Sequence, residues 1–491
     1  MSYGNPLEIP EIVGLVALYL REKDLARCVQ VSKKWRDLLL PYRWRTVEAG
    51  SLPSSSYSIR KSPRHRLGSH PSDIYRHRHL IHDLTLRGDT AGLENFNYPN
   101  LRNLTIDIGF DAGDPERDVF LEPTEMFPSL INLNLMGGVK LASPTWLALS
   151  AHLCVTNLSL TGGVIKATDS PIFWGMCGIL ESLILDGVSF NNGAIPAGTV
   201  LDRLHQLRIT APKNLNMSDQ LGLILRCPNL KELNWECHPD SRNHHSNLDM
   251  DRIPKGYWHC LQELAIHHYF RDKQVASMLK GVGSGNLAYL RFGECLLGKQ
   301  AARALRIHFA TLVALNLWEC RSDSSTLSRD VLLSCPRLEI LNTKSVLARD
   351  VVNGGPWVCQ RLRELRIGFL FGELELDLQQ EIFGRLSTLT RLDTLDMRIP
   401  WYDESFEEEH VLEFRLENGL EQLATLRRLT TIHFVESEAR SYIPQMGKDE
   451  ASWMLTNWKS LKTITGELND DPSIDRKLKS VFKILDIETK L

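Results

Sequence analysis

Ten cysteines and sixteen histidines are the residues of this chain with the widest chemical reach. Four pairs, Cys237-His238, His244-His245, His259-Cys260 and His267-His268, crowd thiol and imidazole groups into residues 237–268. A structural zinc site takes four such ligands at short fixed spacings. No two cysteines here are spaced C-x-x-C and the histidine spacings match no standard site, so each histidine reads as a loop or strand-surface residue and no metal is expected. Gly281-Val282-Gly283-Ser284-Gly285 has the glycines of a phosphate loop, but such a loop joins a strand to a helix, whereas this run precedes a strand and reads as a turn. No serine, cysteine or threonine has a recognisable base and oxyanion site, so no catalytic residue and no cofactor is assigned. Arg60-Lys61-Ser62-Pro63-Arg64-His65-Arg66 could be a nuclear localisation signal or a phosphorylatable Ser-Pro site; a solvated linker is the simpler reading.

What remains is recognition, and the elements that would present it come from a repeat. The pattern L-x-x-L-x-L recurs fifteen times, from Ile81-Leu84-Leu86 through Leu230-Leu233-Trp235 and Leu312-Leu315-Leu317 to a weak Leu461-Ile464-Gly466, mostly at intervals of 24 to 26 residues. That is the period and pattern of leucine-rich repeats. The fourth and sixth positions point the same way from a short strand and fill the interior, while the residues between them face out. One repeat cannot bury that apolar face alone; stacked repeats join their strands into a parallel sheet with helices or irregular turns behind it. Pro99, Pro128, Cys227-Pro228 and Cys335-Pro336 stand just before strand starts, where proline ends a helix. Cys295 and Cys320 sit three residues past the sixth position, where a small polar group can satisfy buried backbone, as in the cysteine-containing intracellular subclass that the repeat resembles.

The outward strand positions form one continuous concave face and include Arg208, Glu232, Glu263, Tyr289, Arg291, Asn316, Trp318, Arg363 and Arg366. Tyr289 and Trp318 stand out, because Trp, Tyr and Arg carry most of the energy in protein interfaces. We take Arg208, Glu232, Tyr289, Arg291, Trp318 and Arg366 as candidate contacts for a protein client, and Trp235, at an inward position, as core. A polar insertion at Pro239–Pro254 and an acidic loop at Asp403–Glu409 lengthen two repeats. From Asp471-Pro472 a cap and proline signature opens a helix with Ile474, Leu478, Val481, Phe482 and Leu485 at helical spacing, expected to cover the last repeat.

The chain has 491 residues and a formal net charge of -3, which leaves no global electrostatic reason to expect nucleic acid or an anionic membrane as a partner. The early apolar run Ile12–Leu20 is well short of the roughly 20 residues of a membrane span. Glu8 and Glu11 stand where a signal peptide carries positive charge, so a cytoplasmic or nuclear protein with reduced thiols is expected.

Residues 6–47 do not follow the repeat. Ile9-Pro10-Glu11-Ile12 opens a helix continued by Val13, Val16 and Leu20; Asp24 caps a second carrying Leu25, Cys28, Val29 and Val31; Lys33 to Leu40 makes a third with Trp35 inward, and Trp44 lies past Pro41. Three short helices cannot bury this many apolar residues among themselves, so a partner is implied. Ile9-Pro10-Glu11-Ile12, Leu20, Asp24-Leu25, Val31-Ser32-Lys33-Lys34-Trp35 and Trp44-Arg45 resemble the F-box pattern, with Ile9 in place of the usual leucine and Pro10 directly abutting Glu11. The chain as a whole is similar to F-box/leucine-rich-repeat proteins of fungal type.

The resemblance implies a non-catalytic specificity subunit of an SCF-type (cullin-RING) E3 ubiquitin ligase. The F-box would bind the Skp adaptor, and through it cullin, with Ile9, Pro10, Ile12, Val16, Leu20, Leu25, Val29 and Val31 as the contact candidates, while the repeats hold an unidentified client protein. A leucine-rich-repeat scaffold without a role in ubiquitin transfer is the alternative. The expected organisation is α/β: an all-helical module at 6–47, a basic, Ser-rich linker at 48–79, a solenoid of about 14–15 repeats at 80–466 and a C-terminal capping helix at 467–491.

Overall fold

The computed structural model describes residues 9–49, 71–87, 97–107, 118–119, 126–138, 140–191, 195–196, 198–236, 248–322, 326–344, 346–372, 376–398, 410–434, 443–484 and 487–490. The chain divides into two compact units, Met1–Leu230 and Lys231–Leu491. Both are α/β, with large, mostly parallel sheets and helices in the connections.

The first unit opens with α1 (Pro10–Tyr19), α2 (Glu22–Cys28) and α3 (Lys33–Trp44). Ser32 ends the turn before α3, and its Oγ accepts the Trp35 N–H at 3.1 Å, satisfying one of the free amides of the helix start. The third helix does not stop at Leu40: it runs through Pro41 to Trp44. The segment expected as a linker at 48–79 is structured at both ends. β1 (Thr46–Ala49) follows α3 after a single residue, and α4 (Pro71–His77) packs its His77 ring against Trp44, centroids 4.5 Å apart. Trp44, Val47 and Ile74 are buried, so apolar contacts hold these ends in place. Residues 50–70, with the basic Arg60–Arg66 run, lie outside the described residues.

β1 pairs in parallel with β2 (Asp83–Arg87), β2 with β3 (Asn103–Asp107), and the ladder continues through Asn132–Met136, Asn157–Thr161, Ser182–Asp186 and Gln206–Thr210. The register places leucine on leucine: Leu84, Leu104, Leu133, Leu158, Leu183 and Leu207 are direct neighbours and all are buried. Burial of each such side chain contributes roughly 1.5–3 kcal/mol, the main force holding the ladder. The second unit repeats the arrangement from Glu232–Glu236 and Glu263–His267 through Tyr289–Gly293, Ala314–Asn316, Ile340–Asn342, Glu364–Arg366, Thr394–Asp396 and Thr431–His433 to Thr463–Thr465.

A strand stands at every occurrence of the sequence pattern. The ladder then takes one strand more than the pattern marks at its C-terminal end. Helix Pro472–Ile484 buries Leu478 and Phe482, but the tail does not end there: Glu488–Lys490 adds a parallel strand beside Thr463–Thr465. The tail is thus a helix and a strand, because the backbone of Thr463–Thr465 would otherwise present an open edge. Most of the polar insertion (239–247), the acidic loop Asp403–Glu409 and Leu485 lie outside the described residues.

Cys295 and Cys320 are buried, and each thiol donates to a carbonyl of the preceding turn, His268 O and Phe292 O, both at 3.2 Å. Burial pushes Cys295 up to about 12 and Cys320 well above the usual thiol range, so these groups act as neutral donors. All described thiols are free.

Candidate functional site

The N-terminal helices meet through Val13, Ala17, Leu25, Val29 and Leu39, with Leu20, Cys28, Trp35, Leu38 and Tyr42 packed around them. Gly14 lets α3 approach α1: a Cβ there would stand 3.2 Å from Cζ of Tyr42 and closer still to its hydroxyl. One stripe of α1, Val13-Gly14-Ala17, is thus used up inside. The opposite side is apolar too. Leu15 is 63 %, Leu18 61 % and Tyr19 88 % exposed, and Val31 at the start of the α2–α3 turn is 69 % exposed. An isolated helix that is apolar on all sides has a second partner to find.

Against the eight residues expected at this surface, Ile9, Pro10, Val16 and Val31 are exposed, while Ile12 and Leu20 are half-buried. Leu25 and Val29 are 6 % and 7 % exposed and pack in the core of the three helices, because α2 is short and turns its one apolar stripe onto α1 and α3. Leu15, Leu18 and Tyr19, which are not among those eight, are exposed as well. The signal was present in the unbroken apolar run Ile12–Tyr19, which exceeds the stripe that one helix can bury on one neighbour.

The solvent-facing strand positions differ in character between the units. In the first, the leading positions Asp83, Asn103, Asn132 and Asn157 form a hydrogen-bonded ladder: each asparagine amide donates to the side-chain oxygen of the preceding strand, and the Asp83 carboxylate also accepts Thr46 Oγ1 at 3.0 Å. Parallel register makes this possible by repeating the same side-chain position every roughly 4.8 Å. These groups satisfy one another. Arg208 of this unit is exposed, its Nε 3.4 Å from Thr210 Oγ1.

In the second unit the same face is charged and aromatic. The Arg366 guanidinium lies over the Trp318 ring, 3.3 Å from its centroid, and its Nε is 3.1 Å from Asp396 Oδ2. Arg398 donates to both Asp396 oxygens, at 2.9 and 2.7 Å. Burial lowers the pKa of Arg366 and Asp396 opposes the shift. One strand series away, Glu319 stands 3.3 Å from His267 Nδ1 and 3.7 Å from Arg291, over Gly293, where a Cβ would come within 2.6 Å of the Glu319 carboxylate. Glu232 and Glu263 are register partners; burial and then the Glu232 charge raise the pKa of Glu263. Tyr289 is 47 % exposed.

The structure therefore brings Trp318 to Arg366, and Arg291 to a Glu319 that sequence inspection passed over; Asp396 and Arg398 were also missed. Trp235 is buried, in edge contact with His268. Of the Cys/His pairs, Cys237-His238 and His244-His245 lie outside the described residues, and among the described residues no group of three or more His, Cys, Asp or Glu could hold a metal. No described helix is long and apolar enough to cross a membrane.

Residues 7–41 match the family model of the F-box domain, a span that takes in α1, α2 and most of α3. An F-box indicates an adaptor-binding role, through Skp, in SCF-type complexes. No curated protein matches the chain.

Proposed function

We propose that this protein is a substrate receptor of an SCF-type E3 ubiquitin ligase, with α1–α3 seated on the Skp adaptor and the strand ladder acting as a leucine-rich-repeat solenoid that holds a client protein. The observation that carries the reading is the F-box match at residues 7–41 together with the exposed apolar face of Leu15, Leu18, Tyr19 and Val31 on the same helices. Such a face is costly in water and suits an amphipathic helix surface laid against partner helices. Ubiquitin transfer would be performed by other subunits, so this chain supplies geometry, not chemistry. On this reading it acts in the cytoplasm or nucleus.

The client face we assign is that of the second unit, around Tyr289, Arg291, Trp318 and Arg366, because it combines the residue types that anchor interfaces with charges held in defined positions. Glu232 belongs to this face as an exposed strand residue, and Arg208 is a separate candidate contact on the strand face of the first unit.

The test is a pull-down of the full chain with the purified Skp adaptor, beside a Leu15→Asp/Leu18→Asp variant whose folding is checked by circular dichroism. Both side chains point to solvent, so the variant should fold and lose binding. Absence of binding by the unaltered chain would leave a repeat scaffold with no ligase role.

A further inference from the structure

One edge of the second unit carries a charge pattern that neither the adaptor surface nor the strand face uses. The strands Ile340–Asn342, Glu364–Arg366, Thr394–Asp396 and Thr431–His433 are in direct register, Ile340 beside Glu364, Glu364 beside Thr394 and Thr394 beside Thr431. Three residues before each of these lies the end of the turn that leads into the strand, and on these four successive levels the residue is arginine: Arg337, Arg361, Arg391 and Arg428. The equivalent position on the three preceding levels holds Cys260, Asn286 and Thr311, and on the following level Ser460. The row is thus confined to four levels.

Each of these arginines is exposed and is followed by a fully buried leucine, Leu338, Leu362, Leu392 and Leu429. The leucine pins the turn and obliges its neighbour to face outward. Arg428 is 3.2 Å from Asp393, which also takes Arg363 at 2.9 Å. Arg337, Arg361 and Arg391 make no ion pair among the described residues. Positive charges repeated on successive levels of the ladder repel one another, and a bound anion relieves that repulsion.

We propose that this row binds an extended anionic peptide, a run of carboxylate or phosphorylated side chains on a partner protein. Guanidinium groups bind both kinds of anion through paired hydrogen bonds. Three ladder intervals span about 14 Å, the reach of four or five residues of extended chain. A single-stranded nucleic acid fits less well: the turn residues beside the arginines are Pro336, Gln360, Thr390 and Arg427, with no aromatic ring on which bases could stack. The proposal stands apart from the adaptor reading, since it concerns a different unit and a different chemistry.

The experiment is fluorescence anisotropy of the full chain with two labelled hexapeptides, one rich in glutamate and one carrying phosphoserines, at low salt. The variant Arg337→Gln/Arg361→Gln/Arg391→Gln is compared with Lys280→Gln/Lys299→Gln/Arg303→Gln, which removes the same charge from exposed helix positions, and melting curves verify folding of both. The expected result is binding that weakens with salt and falls about ten-fold or more in the first variant while the second stays near wild type. A triple lysine replacement at the three arginines keeps the charge without the planar fork and should bind with intermediate affinity. Tighter binding of the phosphopeptide would assign phosphate as the ligand group, tighter binding of the glutamate peptide would assign carboxylate, and parity would show that the row takes either anion. No binding of either peptide, an unchanged affinity in the arginine variant, or preference for a single-stranded oligonucleotide or phosphatidylserine vesicles would overturn the proposal.

Discussion

Single side chains in this protein repeatedly serve the neighbouring level of the ladder and not their own. Asp272 is the plainest case: its carboxylate accepts the amides of Gly298, Gln300 and Ala301 at 3.0, 3.0 and 2.7 Å, and so caps a helix that begins 27 residues later at Lys299. Asp272→Ala should lower stability by about 1–2 kcal/mol in urea unfolding, and Asp272→Asn by less, since an amide oxygen still accepts. Glu263 works in the opposite sense. Its pKa is raised in the folded chain by burial and by Glu232, so the folded state holds its proton to higher pH than the unfolded chain does. Its favourable contribution is present below the ordinary glutamate range and is lost as pH rises through the folded value. Glu263→Gln should therefore stabilise the protein at pH 7 and make no difference near pH 4; equal effects at the two pH values would refute the assignment.

Elements show why the helical module and the ladder meet without slack in the first unit. Only Arg45 separates α3 from β1, and Trp44, buried and stacked on His77, clamps that junction to α4. Removing the ring by Trp44→Ala should cost about 3 kcal/mol and lower the melting temperature, with the loss greater than for Trp35→Ala, whose ring is only partly buried. The α1 surface makes a contrasting prediction. Leu18→Asp should leave stability within about 0.5 kcal/mol of wild type, because the side chain is 61 % exposed, while Val13→Asp, from the buried stripe, should unfold the module. Parallel melting curves of the two variants test the inside-outside assignment of α1.

At the scale of the whole molecule, stability accrues strand by strand along each ladder, and the strand Thr463–Thr465 is covered by the tail. Deleting 471–491 removes Leu478 and Phe482 from the interior and exposes the backbone edge of Thr463–Thr465. The truncated chain should melt earlier and self-associate on size-exclusion chromatography. A monomeric truncation of unchanged stability would show that helix and strand are ornamental.

By itself the sequence determined where the strands of the pattern lie and which of their leucines are buried, because a side-chain period of two within a strand and a spacing near 25 residues are local properties that tertiary context does not alter. Tertiary structure decided which apolar residues of the first module face out. Periodicity cannot set the rotation of a helix that is apolar all round, so Leu25 and Val29 went inside and Leu15, Leu18 and Tyr19 stayed in solvent. It also decided every contact across the ladder: Arg366 on Trp318, Glu319 between His267 and Arg291, and the arginine row at the strand-leading turns join residues 24 to 52 positions apart, and only the register of the sheet makes them neighbours.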